Sequence, residues 1–110
     1  MIVAGIALML GGMALVILGA IARAGKLTRQ SVVGLRTKAT MASDEAWKAA
    51  HEASANWVIA AGTVMFVGGV LVMLTDSETT GDVVALVATA LVMIPIVIAF
   101  RRGQAAARSV

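Results

Sequence analysis

Three long apolar stretches set the pattern of the chain. They cover residues 2–22, 57–75 and 83–100, and none contains a charged side chain. At 1.5 Å per residue, a helix of about 18–21 residues spans about 27–32 Å, the thickness of the hydrocarbon core of a bilayer. Since hydrocarbon cannot satisfy backbone polar groups and the alternating pattern of a barrel is absent, each stretch is predicted to be a transmembrane α-helix.

Composition agrees with this interpretation. The chain is 60% hydrophobic and 14% charged, with a mean hydropathy of +0.95, which excludes a soluble globule. We predict an all-α membrane protein, a single domain over residues 1–110 that forms a three-helix bundle. The absence of cysteine excludes disulfides and thiolate metal sites.

Charge asymmetry predicts the orientation of the bundle. The first connection (residues 23–56) and the C-terminal tail are basic, whereas the second connection (residues 76–82) has three carboxylates and no Lys or Arg. The positive-inside rule places the first connection and the C-terminus in the cytoplasm, and the N-terminus and the acidic turn outside. Eight of the nine basic residues carry this argument: Arg23, Lys26, Arg29, Arg36, Lys38, Arg101, Arg102 and Arg108; the ninth, Lys48, also lies in the first connection.

Two other interpretations of these features were weighed. Ala20-Ile21-Ala22 resembles a signal-peptide cleavage site, but the apolar run before it is long and has no basic n-region, which favours a membrane span. The pI near 10.2 raises nucleic acid as a partner. The basic residues flank spans without an aromatic stacking platform, so topology and anionic lipid headgroups explain the charge better.

Small residues recur every seven positions in the first two spans. A seven-residue period keeps them on a nearly constant helix face, where they allow close backbone approach. We therefore predict antiparallel packing of the first span on the second. The stripes are Gly5, Gly12 and Gly19 in the first span and Ala55, Gly62 and Gly69 in the second; in the third, Gly81, Ala88 and Pro95 keep the spacing. Pro95 removes a backbone donor and is expected to kink the helix near Leu91.

The polar segment before the second span begins a helix of its own. Ser43 is a hydroxyl N-cap, and the carboxylates that follow favour the positive end of the helix dipole. An amphipathic cytoplasmic extension is predicted, either straight over residues 44–75 or bent near Asn56. Its solvated face carries Asp44, Lys48 and Glu52, and a neighbouring face carries Trp47, His51 and Ser54. Trp47 and Trp57 suit interfacial anchors.

The loop that precedes this helix has some features of a binding site. Residues 31–33 are a short apolar stretch expected to dip into the interface, and Gly34 permits a sharp turn. Arg36 can reach a carboxylate such as Asp44 or Glu45, a helix C-terminus or a lipid phosphate, or it can simply be one more cytoplasmic charge. His51 is the one histidine, so a structural hydrogen bond and proton sensing are its alternatives.

No residue set for catalysis, metal binding or cofactor binding is present, and the protein is predicted not to be an enzyme. The only chemistry-bearing pattern is Gly34, Arg36, Thr37 and Thr40 followed by Trp47 and His51. This pattern resembles the signature of the SdpI family of bacterial integral membrane proteins of immunity type. The Asn that opens the family pattern has no counterpart, because Gln30 and Ser31 occupy that region.

The resemblance implies a minimal three-helix form in the bacterial cytoplasmic (inner) membrane that protects against a membrane-active secreted toxin. It implies binding of the toxin or its target, with the motif holding the loop or docking a cytoplasmic regulator. An accessory subunit of a larger membrane complex is the alternative. Membrane lipids are expected partners, and homo-oligomerisation is a further alternative.

The orientation can be tested with Lys26→Cys and Ser77→Cys variants, because the chain has no cysteine of its own. A membrane-impermeant thiol reagent on intact cells should label position 77 and spare position 26. The reverse labelling would invert the predicted topology.

Overall fold

The computed structural model describes residues 2–28 and 34–110 and contains three helices. They are α1 (Ile2–Arg23), α2 (Asp44–Leu74) and α3 (Glu78–Arg108). Each is long and apolar enough to cross a membrane, and no strand occurs in the described ranges. The predicted all-α fold with three membrane-spanning helices is confirmed. The predicted interfacial stretch at 31–33 and the positions of Gln30 and Ser31 lie outside the described residues.

The extension of the second span is one uninterrupted helix with it. Ser43 caps α2 through its side-chain oxygen, which accepts a hydrogen bond from the Ala46 N–H at 3.0 Å. The side chains of Asp44, Lys48 and Glu52 are exposed, as the solvated stripe requires. Of the two alternatives for residues 44–75, the structure adopts the unbroken helix.

The third helix is longer than its apolar stretch at both ends. It begins at Glu78 with Ser77 as N-cap, and it continues to Arg108, about two turns beyond residue 100. The connection predicted over residues 76–82 is therefore short, with non-helical backbone at 75–77. The apolar stretch ends where charged residues begin. The helix extends further because Ser77 favours a helix start before the stretch and the alanines at 105–107 favour helix after it. Pro95 is buried, and the helix continues through it.

The central helix is α2, against which α1 and α3 both pack antiparallel while barely touching each other. Ala55 and Gly69 face α1, whereas their sequence neighbours Ser54 and Gly68 contact α3. Neighbouring residues lie about 100° apart around a helix. The two outer helices therefore lie on adjacent faces of α2, with a cleft between them.

Backbone meets backbone between α1 and α2. A Cβ atom added to Gly12 would lie 2.5 Å from the Gly62 carbonyl oxygen, and one added to Gly62 would lie 2.6 Å from the Gly12 carbonyl oxygen. A Cβ added to Gly69 would similarly meet the Gly5 carbonyl at 2.7 Å. The third contact is at Gly19, where an added Cβ would lie 3.1 Å from the Ala55 carbonyl oxygen. Such spacing is accessible only to residues without larger side chains.

The bundle is longer than a bilayer is thick. Its long dimension is 50 Å, whereas the hydrocarbon core measures about 30 Å. The start of α2 and the end of α3 lie at the same end, because the two helices are antiparallel. We call this end the head, formed by residues 34–56 and 101–108.

Replacing Gly12 by Leu is expected to separate α1 from α2, because the new side chain would enter space held by the α2 backbone. The overpacking cost is about 1–3 kcal/mol, measured as a lower melting temperature in detergent. Met13→Leu is the matched control, since Met13 is 48% exposed. Equal melting temperatures for Gly12→Leu and the parent would contradict the backbone contact.

Candidate functional site

The loop that enters the head does so at Gly34, for two physical reasons. Its φ of 112° lies in the left-handed region that side-chain-bearing residues avoid. A Cβ at this position would also lie 2.5 Å from the His51 Nε2 and 3.2 Å from the Trp47 ring. Glycine therefore provides both the turn and the close approach to the two rings.

His51 fastens the loop to α2. The Leu35 N–H donates to the His51 Nε2 at 2.7 Å, and the His51 Nδ1 lies 2.8 Å from the Trp47 carbonyl oxygen. Because Nε2 accepts, the proton is on Nδ1, which donates to that carbonyl. His51 is thus a neutral imidazole, 4% exposed. Of its predicted alternatives, the structure shows the structural hydrogen bond.

Trp47 is inside the protein. It is 2% exposed, its Nε1–H donates to the Leu27 carbonyl at 3.0 Å, and its ring stacks on His51 with centroids 4.1 Å apart. The interfacial-anchor prediction for Trp47 is therefore wrong, because its position nearly three turns before the apolar stretch puts it under the loop rather than in the headgroups. Together the two rings hold the loop at both Leu27 and Leu35.

Two threonines close the turn that follows. The fully buried Thr40 hydroxyl donates to the Leu35 carbonyl at 2.6 Å and accepts the Thr37 N–H at 2.9 Å. The Thr37 hydroxyl accepts the Thr40 N–H at 3.2 Å and donates to the Gln104 side-chain oxygen at 2.6 Å. The turn is thereby closed on itself and tied to the end of α3.

The end of α3 also receives the loop by packing. A Cβ at Gly103 would lie 2.5 Å from the Leu35 side chain and 3.3 Å from the Ala50 carbonyl, so Leu35 fills a notch that glycine leaves. Nearby, Ala46, Ala50 and Ala107 form a buried cluster. The sequence interpretation missed Gln104, Gly103 and the Leu27 carbonyl. A signal for Gly103 was present, since Ala99, Gly103 and Ala107 continue a four-residue spacing beyond the span.

The structure divides the six motif residues by role. Gly34, Thr37, Thr40, Trp47 and His51 come together as a framework that fixes the loop on the head. Arg36 lies between the anchored Leu35 and Thr37, with its side chain exposed. The five predicted packing glycines lie along the contact of α1 and α2, and Gly19 among them also borders the pocket below the loop.

The site offers shape and charge rather than reactive groups. Within residues 2–28 and 34–110, no three His, Cys, Asp or Glu side chains cluster as metal ligands. In the same residues every buried side-chain nitrogen or oxygen has a hydrogen-bond partner. Below the loop, a mainly apolar pocket of about 190 Å³ is lined by Leu18, Val58 and Ile96 as well as by His51.

Burial lowers the pKa of His51 below its ordinary value of 6.5, although its hydrogen bond to the Trp47 carbonyl opposes the shift. His51 precedes the apolar stretch that begins at Trp57, so it lies in the head rather than in the membrane span. A lowered pKa means that the neutral form stabilises the fold fully above pH 6.5. This contribution declines as the pH falls from 6.5 through the lowered pKa.

Acidification from about pH 7.5 to about pH 5 is expected to loosen the loop, because a protonated Nε2 cannot accept the Leu35 N–H. Trp47 fluorescence in a Trp57→Phe background should shift to the red. The control is His51→Gln, whose amide can accept the same bond but does not titrate. Identical pH responses of the two proteins would contradict the proposed role of the neutral imidazole.

Comparison with known proteins identifies the family of the chain. The model of the SdpI/YfhL protein family matches residues 26–99, about two thirds of the chain, including the framework residues and Arg36. No curated protein and no solved structure gives a significant match. The resemblance predicted from the motif is confirmed, and the chain belongs to the SdpI/YfhL protein family.

Proposed function

We propose that this protein is an immunity protein of the bacterial cytoplasmic membrane that protects against a membrane-active secreted toxin. Membership of an immunity-type membrane family supports the proposal. The protein acts by binding, because the head offers a fixed surface and the motif residues are used in holding it. The basic charge of the head supports a cytoplasmic location for it.

The observation that carries the binding mechanism is the clamped backbone on either side of Arg36. The Leu35 N–H is held by His51 and its carbonyl by Thr40, while the Thr37 N–H is also held by Thr40. A side chain presented from a fixed backbone loses less conformational entropy on binding than one from a mobile loop. The framework thus serves to present Arg36.

Arginine also defines the chemistry of the partner group. The planar guanidinium binds carboxylate or phosphate through two parallel hydrogen bonds, which a lysine ammonium cannot reproduce. The partner group is therefore a carboxylate, on the toxin, on its target or on a cytoplasmic regulator, or a phosphate. Lys38 is exposed two residues away, so the same loop carries a second positive charge.

Arg36→Lys should reduce protection of a toxin-sensitive strain about tenfold, since it loses the bidentate contact and keeps the charge. Arg36→Ala should reduce it further. Protection is measured per amount of protein in the membrane, because none of these changes alters span hydrophobicity.

Lys38→Ala is the matched control, because it removes an exposed positive charge from the same loop. It should retain most of the protection. If Arg36→Lys and Arg36→Ala both protect fully, the binding role of Arg36 is wrong. If the parent fails to protect and instead co-purifies in a stoichiometric larger membrane complex, the accessory-subunit alternative replaces immunity.

A further inference from the structure

A second feature, separate from the motif, joins α2 to α3 at the edge of the membrane. The Arg102 guanidinium lies over the Trp57 ring, 5.5 Å from its centroid. Trp57 is half-buried and Arg102 is exposed. Trp57 is the first residue of the apolar stretch of α2, and Arg102 follows Phe100, the last residue of the apolar stretch of α3, by two positions. The pair therefore marks the level at which hydrocarbon gives way to headgroups.

An apolar groove runs into the membrane on the same side of the bundle. Its volume is about 460 Å³, and its walls include Val64 and Leu71 of α2 and Val84 and Leu91 of α3. It lies between α2 and α3, outside the contact with α1.

Helix periodicity aligns the groove with the pair. On α2, successive members of the series Trp57, Val64 and Leu71 are seven residues apart. On α3, Leu91 lies seven residues after Val84, and Arg102 lies eleven residues after Leu91. Steps of seven and eleven are close to whole numbers of helical turns, so each series lies on one face. Arg102 and Trp57 thus stand above the groove at its head end.

The charge of the pair defines the headgroup that fits. Within residues 2–28 and 34–110, no carboxylate pairs with Arg102, whose interaction is with the ring of Trp57. A guanidinium held against an aromatic face keeps its edge N–H groups available to an oxyanion. Arg102 lies about 16 Å along α3 from Leu91, a distance that an extended acyl chain can cover. Headgroup and chain can therefore be engaged together.

We propose that the α2–α3 groove and the Trp57–Arg102 pair bind one anionic phospholipid. Its phosphate contacts Arg102, and one acyl chain lies along the groove. The site selects the lipid by the charge of its headgroup, and the apolar groove accepts acyl chains without distinguishing between them.

The test uses Trp57 as the reporter of bound lipid. The protein is reconstituted in nanodiscs of phosphatidylcholine containing brominated phosphatidylglycerol or, in a parallel series, brominated phosphatidylcholine. Bromine quenches a tryptophan that it contacts. Trp47 adds a constant background, because it is 2% exposed. The parent should bind phosphatidylglycerol about fivefold more strongly than phosphatidylcholine, as expected for one basic residue at the surface.

Arg102→Gln should abolish this preference, whereas Arg101→Gln should keep it. Arg101 is the matched control, since it is an exposed arginine whose removal causes the same loss of charge. Arg102→Lys should retain most of the preference and shows that position 102 tolerates substitution.

Three results would overturn the proposal. The first is that the parent shows no preference for phosphatidylglycerol, and the second is that the Arg101 and Arg102 variants lose this preference equally. The third is that inorganic phosphate displaces the brominated lipid from Trp57 in phosphatidylcholine nanodiscs. The second would reduce the effect to general surface charge, and the third would make the ligand a free anion rather than a lipid.

Discussion

Contact between backbones along α2 determines the rest of the structure. Because Gly12 and Gly62 each approach the other's carbonyl group, α1 is held in one antiparallel register. Side chains that mesh at this distance cannot slide without collision. The same register brings the end of α1 beside the start of α2, so that the Leu27 carbonyl reaches the Trp47 indole. On the neighbouring face, Gly68 against Ala88 fixes α3 in turn.

Above the membrane boundary, hydrogen bonding takes over from close packing. A loop crossing buried aromatic rings must satisfy its own peptide groups, since a buried unpaired donor costs about 1–3 kcal/mol. In the described part of the head, neutral His51 accepts one such donor and Thr40 accepts another. Each framework residue therefore has a specific partner in the head.

Much of the fold could be predicted from the sequence because its signals are local or periodic. Long apolar runs predict the spans, Ser43 predicts the start of α2, and the seven-residue spacing of small residues predicts the face on which α1 and α2 pack. The misses have a different origin. Trp47 and Trp57 are the same residue type ten positions apart, yet Trp47 is buried under a loop and Trp57 is half-buried. What separates them is the loop itself, which nothing near either residue reveals.

The candidate site shows the same division more sharply. The motif identified which residues matter in the loop, but not their partners. Thr37 bonds to Gln104, 67 residues further along the chain, and the indole of Trp47 bonds to a main-chain carbonyl. Neither partner can be recognised from a single sequence, because any residue can supply a main-chain carbonyl and a single Gln on a helix is common. The alanines at 105–107 and the small-residue spacing of α3 were the signals that the helix continues beyond residue 100.

The position of Trp57 separates the two regions in which the protein can recognise other molecules. Trp47 lies ten residues before it, about 15 Å along α2, and the Arg36 loop rests on Trp47 and His51. Arg36 is thus well above the hydrocarbon and meets groups in the headgroup layer or in water. A toxin inserted in the bilayer would instead meet the apolar helix faces. Immunity through Arg36 therefore requires a partner with a polar part at the membrane surface, and a fully embedded peptide would leave the motif to a regulator.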